Sequence, residues 1–322
     1  MYIINNSQLK EGDILLTRSS SRESQLIRQS TKSDYSHAII YVGAKSCIES
    51  DGLGVQSQNI QRLLFENSDD IIILRLKKSY NLKKVIEFAR QKIGTEYSTS
   101  EARLARLEKQ ISAKEPNRQF CTRFIAQAYN QAGIKLVINP DYCSPQEILE
   151  SKELNKINNI IRIATKQEIE YSKSESPLTK QTEIHNIIFE SARNILNRDI
   201  QNFEQLASEL ILQPEKDTEI VKIIEDSGYL DMWKIDVVKN PWFYDFNKFQ
   251  EHIKSPKQRI EIGTFFSTNE KITRSRFIET KQFLEKGYKN SFLEYFKIQI
   301  ELYNKLIELS KTREEIGLLA LQ

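Results

Sequence analysis

The stretch Phe120-Cys121-Thr122-Arg123-Phe124-Ile125-Ala126-Gln127-Ala128-Tyr129 constrains the fold more than any other segment of the chain. Phe124, Ile125, Ala128 and Tyr129 recur at helical spacing, Pro116 and Asn117 stand upstream where a helix would begin, and Gly133 closes the segment. The pattern predicts a buried helix with a cysteine in its first turn. A thiol there meets unpaired backbone N–H groups and the positive end of the helix dipole, both of which favour the nucleophilic thiolate. Taken alone, Cys121 is better read as a small buried apolar residue. What overturns that reading lies upstream.

A chain of 322 residues has room for two domains. With 39% hydrophobic and 28% charged residues it has a globular, water-compatible composition, without the bias of a disordered chain. A net charge of +3 over 47 basic and 44 acidic residues gives no case for nucleic acid as a partner. Cys47, Cys121 and Cys143 have no metal-like spacing, which argues against a disulfide framework or a zinc site. The reading calls for no metal and no cofactor. The opening Met1-Tyr2-Ile3-Ile4-Asn5-Asn6 lacks a basic segment and a long apolar core, so a secretory signal is not expected. No apolar run approaches the ~20 residues of a membrane span. The expectation is a cytoplasmic protein, with signal-free export left open.

In chain order, Gly12 to Arg18 reads as a turn feeding a strand, and Ser19 to Ser33 as a polar segment with one or two helical turns under a loop. Residues after His37 in Asp34–Gly43 have the β-branched and aromatic content of a buried strand, with His37 at its first position. Lys45 to Ser50 pairs back on it through a turn at Gly43-Ala44, and Val55 to Ile60 is a candidate third strand. Asp70 to Leu76 is the strongest strand signal, and Leu82 to Ile93 an amphipathic helix stopped by Gly94. Ser98 to Lys114 is charged and expected to be an exposed helix. Ser144-Pro145-Gln146-Glu147 has the form of a capping box, and Asn159 to Ala164 is expected to return a last strand to the sheet.

Thiol catalysis needs a base within hydrogen-bond reach of the sulfur and a polar group behind that base. Cys121 opens a helix, His37 opens a strand, and Glu49 lies on the neighbouring strand of a hairpin. Asp51, two residues on, is an alternative to Glu49. Gly12-Asp13, Tyr35-Ser36-His37-Ala38, Ile48-Glu49-Ser50, Gly94-Thr95-Glu96-Tyr97 and Phe120-Cys121-Thr122 resemble, in this order, the motifs of YaeF/YiiX-like permuted papain-fold amidases of the NlpC superfamily. The resemblance covers Met1 to about Thr165. It implies a papain-like helix and small antiparallel sheet with histidine preceding cysteine. It further implies Cys121 as nucleophile, His37 as general base, Glu49 as orienting acid and Tyr97 in a loop lining the site. The family commonly has serine and then glutamate after the cysteine, where this chain has Thr122 and Arg123. Arg123 then either favours the thiolate, recognises an acidic substrate group, or is a surface arginine. Backbone N–H groups at Cys121, helped by Gln25 or Tyr97, are the candidate oxyanion donors.

Composition turns polar near Ser172-Lys173-Ser174-Glu175-Ser176-Pro177, so the chain divides into residues 1–170, an α+β permuted papain-like domain, and residues 178–322, an all-α domain of unknown role. In the second part Ile184–Leu196, Phe203–Leu212, Glu219–Ile224 and a long stretch from Phe277 to Leu309 have helical period. Trp233, Trp242, Phe243, Tyr244, Phe246 and Phe249 are expected in its core, and His185 and His252 to be exposed or core residues. The reading is a cysteine hydrolase acting on an amide- or acyl-containing substrate through an acyl-enzyme. Its alternatives are an acyltransferase or a lipid or thioester hydrolase of the same fold. A third reading is a toxin or effector whose helical half binds a protein partner.

Overall fold

A computed structural model describes residues 1–99, 102 and 118–322, and among these nine strands and five α-helices order the first half of the chain. The strands are β1 (Tyr2–Ile4), β2 (Ile14–Thr17), β3 (His37–Tyr41), β4 (Ser46–Asp51), β5 (Gly54–Asn59), β6 (Leu64–Phe65), β7 (Ile71–Leu76), β8 (Leu154–Ile157) and β9 (Ile161–Ile163). Interleaved with them are α1 (Arg22–Thr31), α2 (Lys83–Gln91), α3 (Cys121–Gln131) and α4 (Pro145–Leu149), and α5 (Lys166–Lys173) follows. Six strands form one antiparallel sheet in the order β5-β4-β3-β2-β7-β8, and β6-β1-β9 form a second. The chain divides into two compact units, Met1–Thr182 and Glu183–Gln322.

Side chains alternate across a strand, so the large sheet has two buried faces. Ile14, Leu16, Ala38, Ile40 and Ile48 pack with Val85 and Ala89 of α2 and with Phe124, Ile125 and Ala128 of α3. Leu15, Ile39, Tyr41, Cys47 and Ile73 face the other way, onto Ile4, Phe65 and Ile160 at the small sheet. Both faces being covered explains why β2, β3 and β7 read as continuous apolar runs.

The helix at Cys121 begins where expected. The expected helix over Ser98–Lys114 falls mainly, and Pro116 and Asn117 wholly, outside the described residues. Two expectations change. Ser19–Ser33 holds a ten-residue helix, α1, because Ser21 caps it by accepting from Ser24 N. The strand returning to the large sheet is β8, which pairs with β7; Asn159–Ala164 instead supplies β9, paired with β1. The polar stretch at 172–177 is held by the first unit: Arg62 Nη2 donates to Ser174 Oγ at 3.2 Å and to Glu175 O at 3.1 Å. The division between units falls further on, within α6 (Pro177–Leu196).

Gly12-Asp13 is architecture. Gly12 turns with φ +80°, and its carbonyl accepts a hydrogen bond from the buried Tyr129 hydroxyl of α3. Asp13 is fully buried, accepting from Arg75 Nε at 2.7 Å, Arg75 Nη2 at 2.6 Å and Lys10 N at 2.8 Å. This fork-on-fork pairing neutralises a carboxylate that could not otherwise leave water.

In the second unit α6 is followed by α7 (Phe203–Leu212), α8 (Asp217–Asp226), α9 (Met232–Lys239), α10 (Phe246–His252), α11 (Pro256–Ser291) and α12 (Glu294–Leu319). The expected long helix from Phe277 to Leu309 is two helices, broken where Phe292 turns left-handed at φ 56°. Pro256 opens α11 at its first turn, where a missing N–H costs nothing. Phe249 is fully buried, with Trp242, Phe243 and Phe246 packed on its cluster. His185 is a core residue, and His252 is exposed and stacked on Trp242 at 4.6 Å.

Candidate active site

Cys121 is the first residue of α3 and is 8% exposed. Phe120 before it is extended and offers no side-chain cap. The first-turn N–H groups have no carbonyl one turn back to bond, as in any helix, so the thiol shares its position with backbone donors.

His37 opens β3 opposite Thr17 of β2. Ile39 pairs with Glu49 across β3 and β4, so Glu49 lies diagonally from His37 on the same face. The ring's Nε2 and Glu49 Oε2 are 2.7 Å apart, with the Glu49 side chain 8% and the His37 side chain 24% exposed. The ring is hydrogen-bonded to Glu49 and lies near enough to the Cys121 thiol to be influenced by it. Burial disfavours the imidazolium, but Cys121 and Glu49 together outweigh it, holding the ring well above its usual value.

The alternative carboxylate is engaged elsewhere. Asp51 accepts from Leu53 N at 2.9 Å and Gln56 Nε2 at 2.8 Å, and burial raises its pKa.

A narrow cleft with about 30 Å³ of water-accessible volume opens at the thiol. Tyr97 lines it together with Cys121, Thr31, Ser36, Cys143 and Ser144. The Tyr97 backbone bridges Gln119, two residues before the cysteine. His37 and Glu49 are not part of this lining.

Two sequence candidates are placed away from the cleft. Gln25 is on the exposed side of α1, where its amide donates to Ser20 O at 3.0 Å; Ile27 and Thr31 of that helix face the cleft instead. Arg123 is fully buried, neither a surface arginine nor a cleft residue. Its Nε donates to Asp141 O at 2.9 Å and its Nη1 to Arg118 O at 3.3 Å, and its guanidinium lies 4.7 Å from the Phe120 ring and 5.1 Å from Tyr142. It braces the start of α3 against the loop that leads to α4.

Ser36 and Cys143 escaped sequence reasoning as cleft residues. The Ser36 hydroxyl is 2.7 Å from that of Ser24, tying the start of β3 to α1. Thr122 Oγ1 donates to Cys143 O at 2.5 Å, and Cys143 Sγ to Thr122 O at 3.4 Å. The capping box at Ser144 was the available signal, since it fixes the chain just after Cys143 as it enters α4. Burial pushes the Cys47 and Cys143 thiols far above the ordinary range. Among the described residues no group of three or more histidine, cysteine or acidic side chains is placed to hold a metal ion, and no helix is long and apolar enough to cross a membrane.

A mixed domain in which a helix opening on cysteine packs against an antiparallel sheet, with histidine earlier in the chain, belongs to the papain-like class in permuted form. Residues 8–157, just under half of the chain, match the family model described as permuted papain-like amidase enzyme, YaeF/YiiX, C92 family. Among solved structures, the crystal structure of the metalloprotein yiiX from Escherichia coli O157:H7 is similar at 20% identity and a TM-score of 0.38, over 47% of this chain and 97% of that one. A search of curated proteins gives no match.

Proposed function

We propose that the chain is a cysteine hydrolase that cleaves an amide through an acyl-thioenzyme. One observation supports this reading most: the His37 imidazole is held 2.7 Å from the buried Glu49 carboxylate, in a domain where Cys121 opens a buried helix at a cleft. In this reading His37 takes the Cys121 proton as sulfur attacks the carbonyl carbon, then gives it to the departing amine. Glu49 fixes the ring's orientation and stabilises the imidazolium. The N–H groups at the start of α3 receive the developing oxyanion, with Tyr97 beside them. Water, deprotonated by His37, then releases the acid, and the proton returns to sulfur.

Purified protein is expected to react with iodoacetamide at Cys121 faster than a free thiol at mildly acidic pH. Cys47 and Cys143, buried as thiols, are expected to stay unlabelled. Cys121→Ala is expected to abolish both labelling and hydrolysis, and intact mass should reveal an acyl group on Cys121 during turnover. Labelling no faster than that of free cysteine would sink the assignment.

A further inference from the structure

A second hollow lies on the other side of α1 from the thiol. It measures about 490 Å³ and is lined by Gln25, Arg28, Gln29, Lys32, Ser33 and Asp34. Ile27 and Thr31 of the same helix line the cleft at Cys121. The helix is therefore a shared wall, and about 10 Å, one helix diameter, separates the two sites.

Arg28 is half-buried, and its Nε is shut off from water with no hydrogen-bond partner. A basic residue in a last turn ordinarily donates to the final carbonyls. Here the Arg28 carbonyl is taken by the N–H groups of Lys32 and Ser33, and the Arg28 head takes no such part. A desolvated N–H of a guanidinium is costly until an acceptor reaches it. Lys32, left-handed at φ 50° at the helix end, adds a second cation to the same hollow. Asp34 is the one acid in the lining, so the hollow keeps a net positive charge. Gln29 and Ser33 add neutral donors.

We propose that this hollow is an oxyanion site that takes a carboxylate or phosphate group of the substrate, with Arg28 making a forked contact and Lys32 supplying a point charge. In its catalytic consequence the proposal rests on the thiol-hydrolase reading: the substrate is an amide bearing an anionic group about one helix diameter, ~10 Å, from the scissile carbonyl.

The test uses the full chain carrying Cys121→Ala, labelled with ¹⁵N-arginine and titrated separately with inorganic phosphate and with acetate. The Nε–H signal of Arg28, assigned by its loss in Arg28→Lys, is expected to move saturably at millimolar anion. Lys32→Ala is expected to weaken that midpoint by about 5-fold or more, the effect of removing one charged contact. Response to phosphate alone names a phosphoryl group, response to acetate alone names a carboxylate, and either supports the site. An Arg28 signal unmoved by both anions at tens of millimolar, or a midpoint unchanged by Lys32→Ala, overturns it. No turnover is read, so a failed hydrolase assignment and a failed anion site give different results.

Discussion

Glu49 raises the proton affinity of His37 through both its hydrogen bond and its charge. That attraction stabilises the fold fully below the ring's ordinary value near 6.5, and is lost as pH climbs through the raised value. Glu49→Gln keeps an acceptor and removes the charge, so the ring titrates lower. The acid limb of the kcat/KM profile is expected to move acidward by about one pH unit, with a fall in kcat. A limb left in place would remove Glu49 from the site. Both candidate acids were legible in the residue string, but choosing between them was not. Register puts Glu49 and Asp51 on one face of the strand; the 2.7 Å contact of Glu49 with the ring, and the bonds of Asp51 to Leu53 and Gln56, separate them, and both are contacts that neither strand's sequence states alone. Arg123 was misread for a related reason. A charge one turn from a thiol looks functional until Phe120, Tyr142 and the Asp141 carbonyl are known to enclose it.

Elements with strong local signals were legible: β7, the capping box before α4 and the apolar face of α2 each depend on neighbours in sequence. Elements fixed from far away were not. β1 has three residues and owes its existence to pairing with β6 and β9. α12 starts after Leu293 with no local cap; Asp217 of α8 accepts from Glu294 N at 2.7 Å and Tyr295 N at 3.1 Å instead. The crossing of α11 and α12 is equally non-local. A Cβ added at Gly317 would stand 2.7 Å from Phe266 Cβ and 2.9 Å from Gly263 O, both firmly placed atoms. Gly317→Ala is therefore expected to destabilise by about 1–3 kcal/mol through overpacking. Gly52→Ala, with nothing within 4 Å of its Cβ, is expected to be neutral within about 0.5 kcal/mol. Urea midpoints of the two variants check the contrast; equal midpoints would contradict the close crossing.

The two units differ in how pH reaches them. In the second, His185 is boxed by Phe189 at 5.9 Å, Phe203 at 5.5 Å and Tyr229 at 5.9 Å, and burial lowers its pKa from 6.5 to about 4. The unfolded chain binds this proton below pH 6.5 while the folded unit refuses it until about pH 4. Stability from this residue is thus whole above pH 6.5 and drains away as pH falls toward 4, by on the order of 3 kcal/mol at most. His185→Phe is expected to flatten the fall in melting temperature between pH 7 and about 4.5. An unchanged slope would mean that other groups govern acid lability.

The match to the family model stops at residue 157, and it starts at residue 8. Ile4 and Ile160 lie just beyond those limits, and both close over Leu15, Ile39 and Ile73 on the back of the large sheet. Anyone trimming the first half to the borders of that match would peel off its rear cladding, leaving a sticky, water-exposed plane behind an otherwise intact thiol.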